Sequence, residues 1–155
     1  MTMKVGWSLG CLMVVALAAA GVAALGQSAV TIPKDALVLP EALHQELQAN
    51  AHAALILQVG SRMMFDQQHI PGAEYAGPGS RPEGLQALQS RVAGLPRSSA
   101  IVLYCGCCPW EKCPNVAPAW ALLHGMGFAH LRVLYIAQNF GVDWVARGFG
   151  AERTQ

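Results

Sequence analysis

Ile101-Val-Leu-Tyr-Cys105-Gly-Cys107-Cys108-Pro-Trp-Glu-Lys-Cys113-Pro-Asn115 runs from a short apolar segment straight into a loop that holds four of the chain's five cysteines. Residues 101–104 are uninterrupted and β-rich, with Arg97-Ser98-Ser99 before them and Gly106 and Pro109 after them, the pattern of a buried strand between breakers. Beyond the loop, Asn115 is a candidate helix cap and Pro118 is tolerated in a first turn. Val116, Trp120, Leu123 and Met126 then form one apolar stripe that Gly127 closes. This order puts Cys105 at the carboxyl end of a strand, where open α/β sheets carry their chemistry. Loop N–H groups and the positive end of the helix are expected to face Cys105. Such a setting lowers a thiol pKa from about 8.5 to roughly 3.5 to 7.5, and it equally cradles an anion.

Outward from this stretch the pattern alternates. Residues 41–48 have helical spacing with Leu43 and Leu47 four apart, 54–59 read as a buried strand, and 62–68 as a short helix. Residues 83–92 are helical, with Leu85, Leu88 and Val92 on one face. Residues 117–126 and 131–136 add a helix and a strand, and Trp144 is expected to pack a short terminal helix onto the core. Ala76-Gly77-Pro78-Gly79-Ser80 is a loop. Strands and helices in alternation predict an α/β fold with a mostly parallel sheet.

Three segments together resemble the rhodanese-like domain family. The first is Leu55-Ile-Leu-Gln-Val-Gly-Ser61 with Phe65 and then His69-Ile-Pro-Gly-Ala73. The second is the Cys105 strand, loop and helix ending in Gly127-Phe128, and the third is residues 131–136 followed by Trp144 and Gly148. The resemblance spans residues 38–150. It implies a three-layer domain, a central and mostly parallel sheet flanked by helices, and a sulfurtransferase of the thiosulfate or polysulfide type. Cys105 would carry sulfane sulfur as a persulfide, within an active-site loop of Gly106, Cys107, Cys108, Trp110, Glu111, Lys112 and Cys113. No cofactor is implied. The partners would be a small sulfur-containing anion or a thiol acceptor, and a redox protein is a further candidate.

The departures from the family pattern bear on the substrate rather than the fold. Gln58-Val59-Gly60 stands where Asp-Val-Arg is usual, and Asn139 and Phe140 replace a Gly-Gly pair. The Cys105 loop is longer than the family norm. Its single cation, Lys112, has Glu111 beside it, which is little positive charge for an anionic donor.

The other loop cysteines leave several readings open. One is a disulfide of Cys113 with Cys107 or Cys108, since adjacent cysteines bond each other only with strain. Another is a thiol that resolves a Cys105 persulfide, or a thiol oxidoreductase pair of Cys105 with Cys107 or Cys108. A non-enzymatic alternative is a soft-metal or redox-regulatory module in which Cys105, Cys107, Cys108 and Cys113 are ligands, although the spacing lacks the Cys-x2-Cys pairs of a usual zinc site. Trp110 is either a lid over the sulfur site or the anchor of a long loop. His69, in its turn, is expected to bond backbone and brace the sheet edge. His44, His52, His124 and His130 have no ligand spacing.

The 155 residues fit one domain. Residues 1–26 hold one charge, Lys4, followed by an apolar run and Ala24-Leu25-Gly26 as a small-residue cleavage candidate, which reads as a secretory signal. An uncleaved membrane anchor is the alternative, because the run from Trp7 to Gly26 is long enough to span a bilayer. The expected organisation is then an extended leader at 27–37, the domain at 38–150 and a tail at 151–155. The expected location is periplasmic or otherwise extracytoplasmic, with membrane contact only through an uncleaved N-terminal segment. Without Lys4 the basic and acidic side chains are equal in number, which gives no electrostatic footprint for nucleic acid.

Overall fold

The structure, a computed structural model, describes residues 31–154. The expected signal or anchor at residues 1–26 lies outside the described residues. Five strands form one sheet: β1 (Leu37–Val38), β2 (Leu55–Gln58), β3 (Glu74–Tyr75), β4 (Ala100–Tyr104) and β5 (His130–Leu134). Their order is β1-β5-β4-β2-β3 and every neighbouring pair is parallel. Helices α1 (Pro40–Ala49), α2 (Arg62–Gln67), α3 (Pro82–Val92), α4 (Val116–Gly125) and α5 (Phe140–Asp143) connect and cover it.

The central strand β4 explains the layering. Side chains of a strand alternate between faces, so Ile101 and Leu103 enter one core with Leu88 and Val92 of α3 and Val116, Trp120 and Leu123 of α4. Val102 and Tyr104 enter the other, with Leu43 of α1, Phe65 of α2 and Phe140 of α5. A strand covered on both faces needs no polar alternation, which is why β4 reads as a continuous apolar run. Cys105 follows Leu103 onto the α3 and α4 side and belongs to that core.

The expected helices and the three longer strands are all present, with ends shifted by one or two residues. The two-residue strands β1 and β3 had no sequence signal, being too short to show a period of two. Part of the expected leader is packed: Ile32 and Ala36 are buried and a 3₁₀ turn spans Lys34–Ala36 ahead of β1. At the other end, Glu152 bridges to His69 through paired backbone hydrogen bonds of 3.0 and 2.9 Å. Ordered contacts therefore extend beyond residues 38–150 on both sides. Among the described residues, no helix is long and apolar enough to cross a membrane.

Candidate active site

Cys105 sits just past the end of β4, and its backbone is pinned by a residue of the neighbouring strand. Gln58, buried at the end of β2, donates its side-chain N–H to the Cys105 carbonyl at 3.0 Å, while its side-chain oxygen accepts the Gly60 N–H at 3.1 Å. An amide can do both at once, so Gln58 satisfies a donor and an acceptor that burial would otherwise penalise. Gly60 leaves room for the sulfur: a Cβ there would lie 2.7 Å from Cys105 Sγ.

The chain then turns at Gly106, whose φ of 86° lies in the left-handed region and whose missing Cβ would stand 2.9 Å from that of Phe140. Only glycine meets both conditions without strain. The Gly106 carbonyl accepts the Phe140 N–H at 2.9 Å, and the Trp110 N–H donates to the Ile136 carbonyl at 2.9 Å, tying the long loop to the segment after β5. Trp110 and Cys108 also pack against the core beneath. Trp110 thus helps to hold the long loop in place. Glu111 and Lys112 stand exposed in a 3₁₀ turn spanning Trp110–Lys112.

Asn115 precedes α4, but its side chain does not cap that helix. Its Nδ2 donates to Cys105 Sγ at 3.4 Å and its Oδ1 accepts the Ser80 N–H at 3.0 Å. The loop at residues 76–80, read from sequence as a connector, is the wall that orients this amide. At Gly79 a Cβ would meet the Asn115 carbonyl at 2.1 Å.

The loop brings its sulfurs together. Cys105 and Cys107 Sγ are 3.3 Å apart, Cys107 and Cys108 Sγ 3.0 Å, and the sulfurs of Cys105, Cys107 and Cys113 all lie within 4.8 Å of one another. Cys105 and Cys113 are buried, and Cys107 is exposed. All four are free thiols, so the expected disulfide of Cys113 is not formed. The close sulfur contacts fall at hydrogen-bond separation, beyond the bond length of about 2.05 Å.

Charge within the cluster falls on Cys113 rather than Cys105, a correction to the expected helix effect on Cys105. Cys113 is held down to about 5 by the hydrogen bond from Cys105 and, against the effect of burial, by the backbone N–H groups of Asn115 and Val116 at the start of α4. Cys105 is pushed up by its hydrogen bond to Cys113 and by burial, against the Cys107 N–H, which favours its thiolate. Cys108 is pushed up to about 12, first by burial and then by Cys107. Of the two, Cys113 is the one whose surroundings favour the thiolate. Helix-start N–H groups stabilise an anion where they converge, and they converge on Cys113.

A cavity of about 320 Å³ opens beside the loop, lined by Met64, Gln67, Cys107, Asn139, Phe140 and Gly141 among others. Three larger clefts, near His124, near His52 and near Asp66, have no cysteine in their walls. The histidines stay outside this chemistry. His69 is buried, stacks on Phe65 at 4.0 Å, places Nδ1 2.8 Å from the Phe65 carbonyl, and so braces its turn as expected. His44 stacks on Phe149, His124 stacks on Trp120, and His52 and His130 are exposed. Sequence reasoning passed over Gln58 and Gly60 as partners of Cys105. The usable signal was a lone polar residue ending an apolar strand.

A parallel α/β sheet whose central strand delivers a cysteine into a cysteine-rich loop and helix defines a class, that of sulfurtransferase-type domains. The sequence profile of the rhodanese-like domain family matches residues 39–136, and the chain belongs to this family. No curated protein matches it. A crystal structure of an Anabaena protein is similar at 25% identity and a TM-score of 0.58, over 75% of this chain and 91% of that one. The solution structure of the rhodanese-like domain of the same Anabaena protein gives 25% identity and 0.56, over 76% and 79%. A single-domain sulfurtransferase of Saccharomyces cerevisiae shares the fold at 13% identity and 0.55, over 77% and 94%.

Proposed function

We propose that the protein is an exported sulfurtransferase that carries sulfane sulfur as a persulfide on Cys105. The observation that supports this most is the placement of the Cys105 sulfur at the end of the central strand, against the Asn115 amide at 3.4 Å and within 4.8 Å of the Cys113 sulfur. Cys105 sulfur attacks the outer sulfur of a donor persulfide or polysulfide, and its proton passes to Cys113. The donor's sulfur–sulfur bond breaks and the leaving thiolate carries away the electron pair. The Cys105 persulfide anion is held by the Asn115 amide and the Cys107 N–H. An acceptor thiolate then attacks the terminal sulfur, and Cys113 returns the proton to Cys105.

Lys112 as the single loop cation, beside Glu111, favours a singly charged thiol persulfide donor over dianionic thiosulfate. The signal-like segment at residues 1–26 supports the export in this reading. A second reading rests on the 3.3 Å approach of Cys105 and exposed Cys107. In it, Cys107 attacks the Cys105 sulfur of the persulfide, forming a disulfide and releasing hydrosulfide.

Intact-protein mass spectrometry after exposure to a polysulfide tests both readings. Wild type is expected to gain one sulfur, Cys105→Ser none, and Cys113→Ser to gain it more slowly. Equal loading of wild type and Cys105→Ser overturns the assignment, whereas loss of two mass units without added sulfur supports the disulfide route.

A further inference from the structure

We infer that Cys105, Cys107 and Cys113 form a three-thiolate site for Cu(I), a soft monovalent cation, and that Cys108 is not a ligand. The inference stands on the arrangement of the sulfurs and does not rest on the sulfur-transfer reading. Their three Sγ atoms lie within 4.8 Å of one another, close enough to share one ion. Each is delivered by a separately fixed piece of backbone. Cys105 ends β4 under the Gln58 clamp, Cys107 follows the Gly106 turn held by Phe140, and the Cys113 N–H closes the 3₁₀ turn on the Trp110 carbonyl at 3.2 Å. Two ligands are buried and one is exposed. The site therefore has a buried base and one exposed thiol at its mouth for an ion to meet first.

Ligand type and number select the metal. Thiolate sulfur favours Cu(I) and Zn(II) over harder ions, but a closed structural zinc site takes four tetrahedral ligands. A fourth would have to be Cys108. Its sulfur touches Cys107 Sγ at 3.0 Å, yet it falls outside the mutually close set and its side chain packs against the core. Three sulfurs without a fourth suit trigonal Cu(I). Binding exchanges thiol protons for the cation, with no change of oxidation state. The negative charge left on three thiolates meets the Asn115 amide at Cys105 and the N–H groups of Asn115 and Val116 at Cys113. Cu(I) and a Cys105 persulfide would exclude each other.

The test is anaerobic titration of the reduced, metal-free protein with Cu(I), supplied as its acetonitrile complex, against a chromogenic Cu(I) chelator. One ion per chain is expected, with three sulfur neighbours by X-ray absorption. Cys107→Ser, at an exposed position that leaves the fold intact by circular dichroism, is expected to weaken binding at least tenfold. Cys108→Ser is expected to bind as wild type does. Failure of the wild type to compete with the chelator overturns the inference, as does an equal loss in Cys108→Ser, or preferential Zn(II) uptake with four sulfur neighbours. Sulfur loading of the metal-free wild type is measured separately, so failure of either reading leaves the other standing.

Discussion

The side-chain amide of Asn115 reaches the sulfur of Cys105 at 3.4 Å while its oxygen is held by the Ser80 N–H at 3.0 Å. The residue that looks like a helix cap is thus turned away from its own helix and toward the Cys105 sulfur. A hydrogen bond to a charged group contributes roughly 1.5 to 3 kcal/mol. Asn115→Ala is therefore expected to slow persulfide formation on Cys105 about ten- to a hundredfold while the protein still folds. A time course of sulfur loading by mass spectrometry reads this, and an unchanged rate would remove Asn115 from the site.

Gly60 is expected to tolerate no side chain. The Cβ of Gly60→Ala would stand 2.7 Å from Cys105 Sγ and 2.8 Å from Gln58 Nε2, so the sulfur or the clamp must shift. Overpacking of this kind costs typically 1–3 kcal/mol. Urea unfolding should show that loss together with impaired sulfur loading. A variant as stable and as readily loaded as wild type would mean that the sulfur has space the structure does not show.

Gln58→Leu should be the costlier change. It leaves the Cys105 carbonyl and the Gly60 N–H without the partners that hold them at 3.0 and 3.1 Å. Each unsatisfied buried group costs roughly 1–3 kcal/mol, so a drop of about 2–6 kcal/mol in unfolding free energy is expected. Denaturant titration measures it, and a loss well under 1 kcal/mol would show that water replaces the amide.

Stability should peak in mildly alkaline solution. Cys113, held down to about 5, gives a contribution that is complete above the ordinary thiol pKa of about 8.5 and is lost as pH falls toward 5. Cys105, pushed up, gives one that is complete below about 8.5 and is lost as pH rises beyond it. Denaturation midpoints of the reduced protein should climb from pH 5 to about 8.5 and decline above it, and Cys113→Ser should flatten the lower limb. A wild-type midpoint that is flat or falling across that lower limb would place the charge elsewhere.

The signal-like segment at residues 1–26 gives a prediction that cell fractionation checks. With Lys4, the apolar run and Ala24-Leu25-Gly26, the mature chain is expected to begin near Gln27 outside the cytoplasm. Intact Met1 recovered in the soluble cytoplasm would contradict it.

The sequence by itself determined the order of elements and the position of Cys105 at a strand end, because both rest on local patterns. An apolar run between breakers makes β4 a strand in any context that buries it, and the stripe of Val116, Trp120 and Leu123 gives α4 a face to bury. The two-residue strands were not legible, since β1 and β3 exist through pairing with β5 and β2, which are distant in the chain. Nor was the state of the cysteines. Which thiol carries the charge depends on where the N–H groups of Asn115 and Val116 point once α4 docks beside β4. The Gln58 clamp and the Ser80 hold on Asn115 join residues far apart in sequence. The tertiary structure decided these because hydrogen bonds and desolvation act over a few ångströms of space, and neither distance is written in residue spacing.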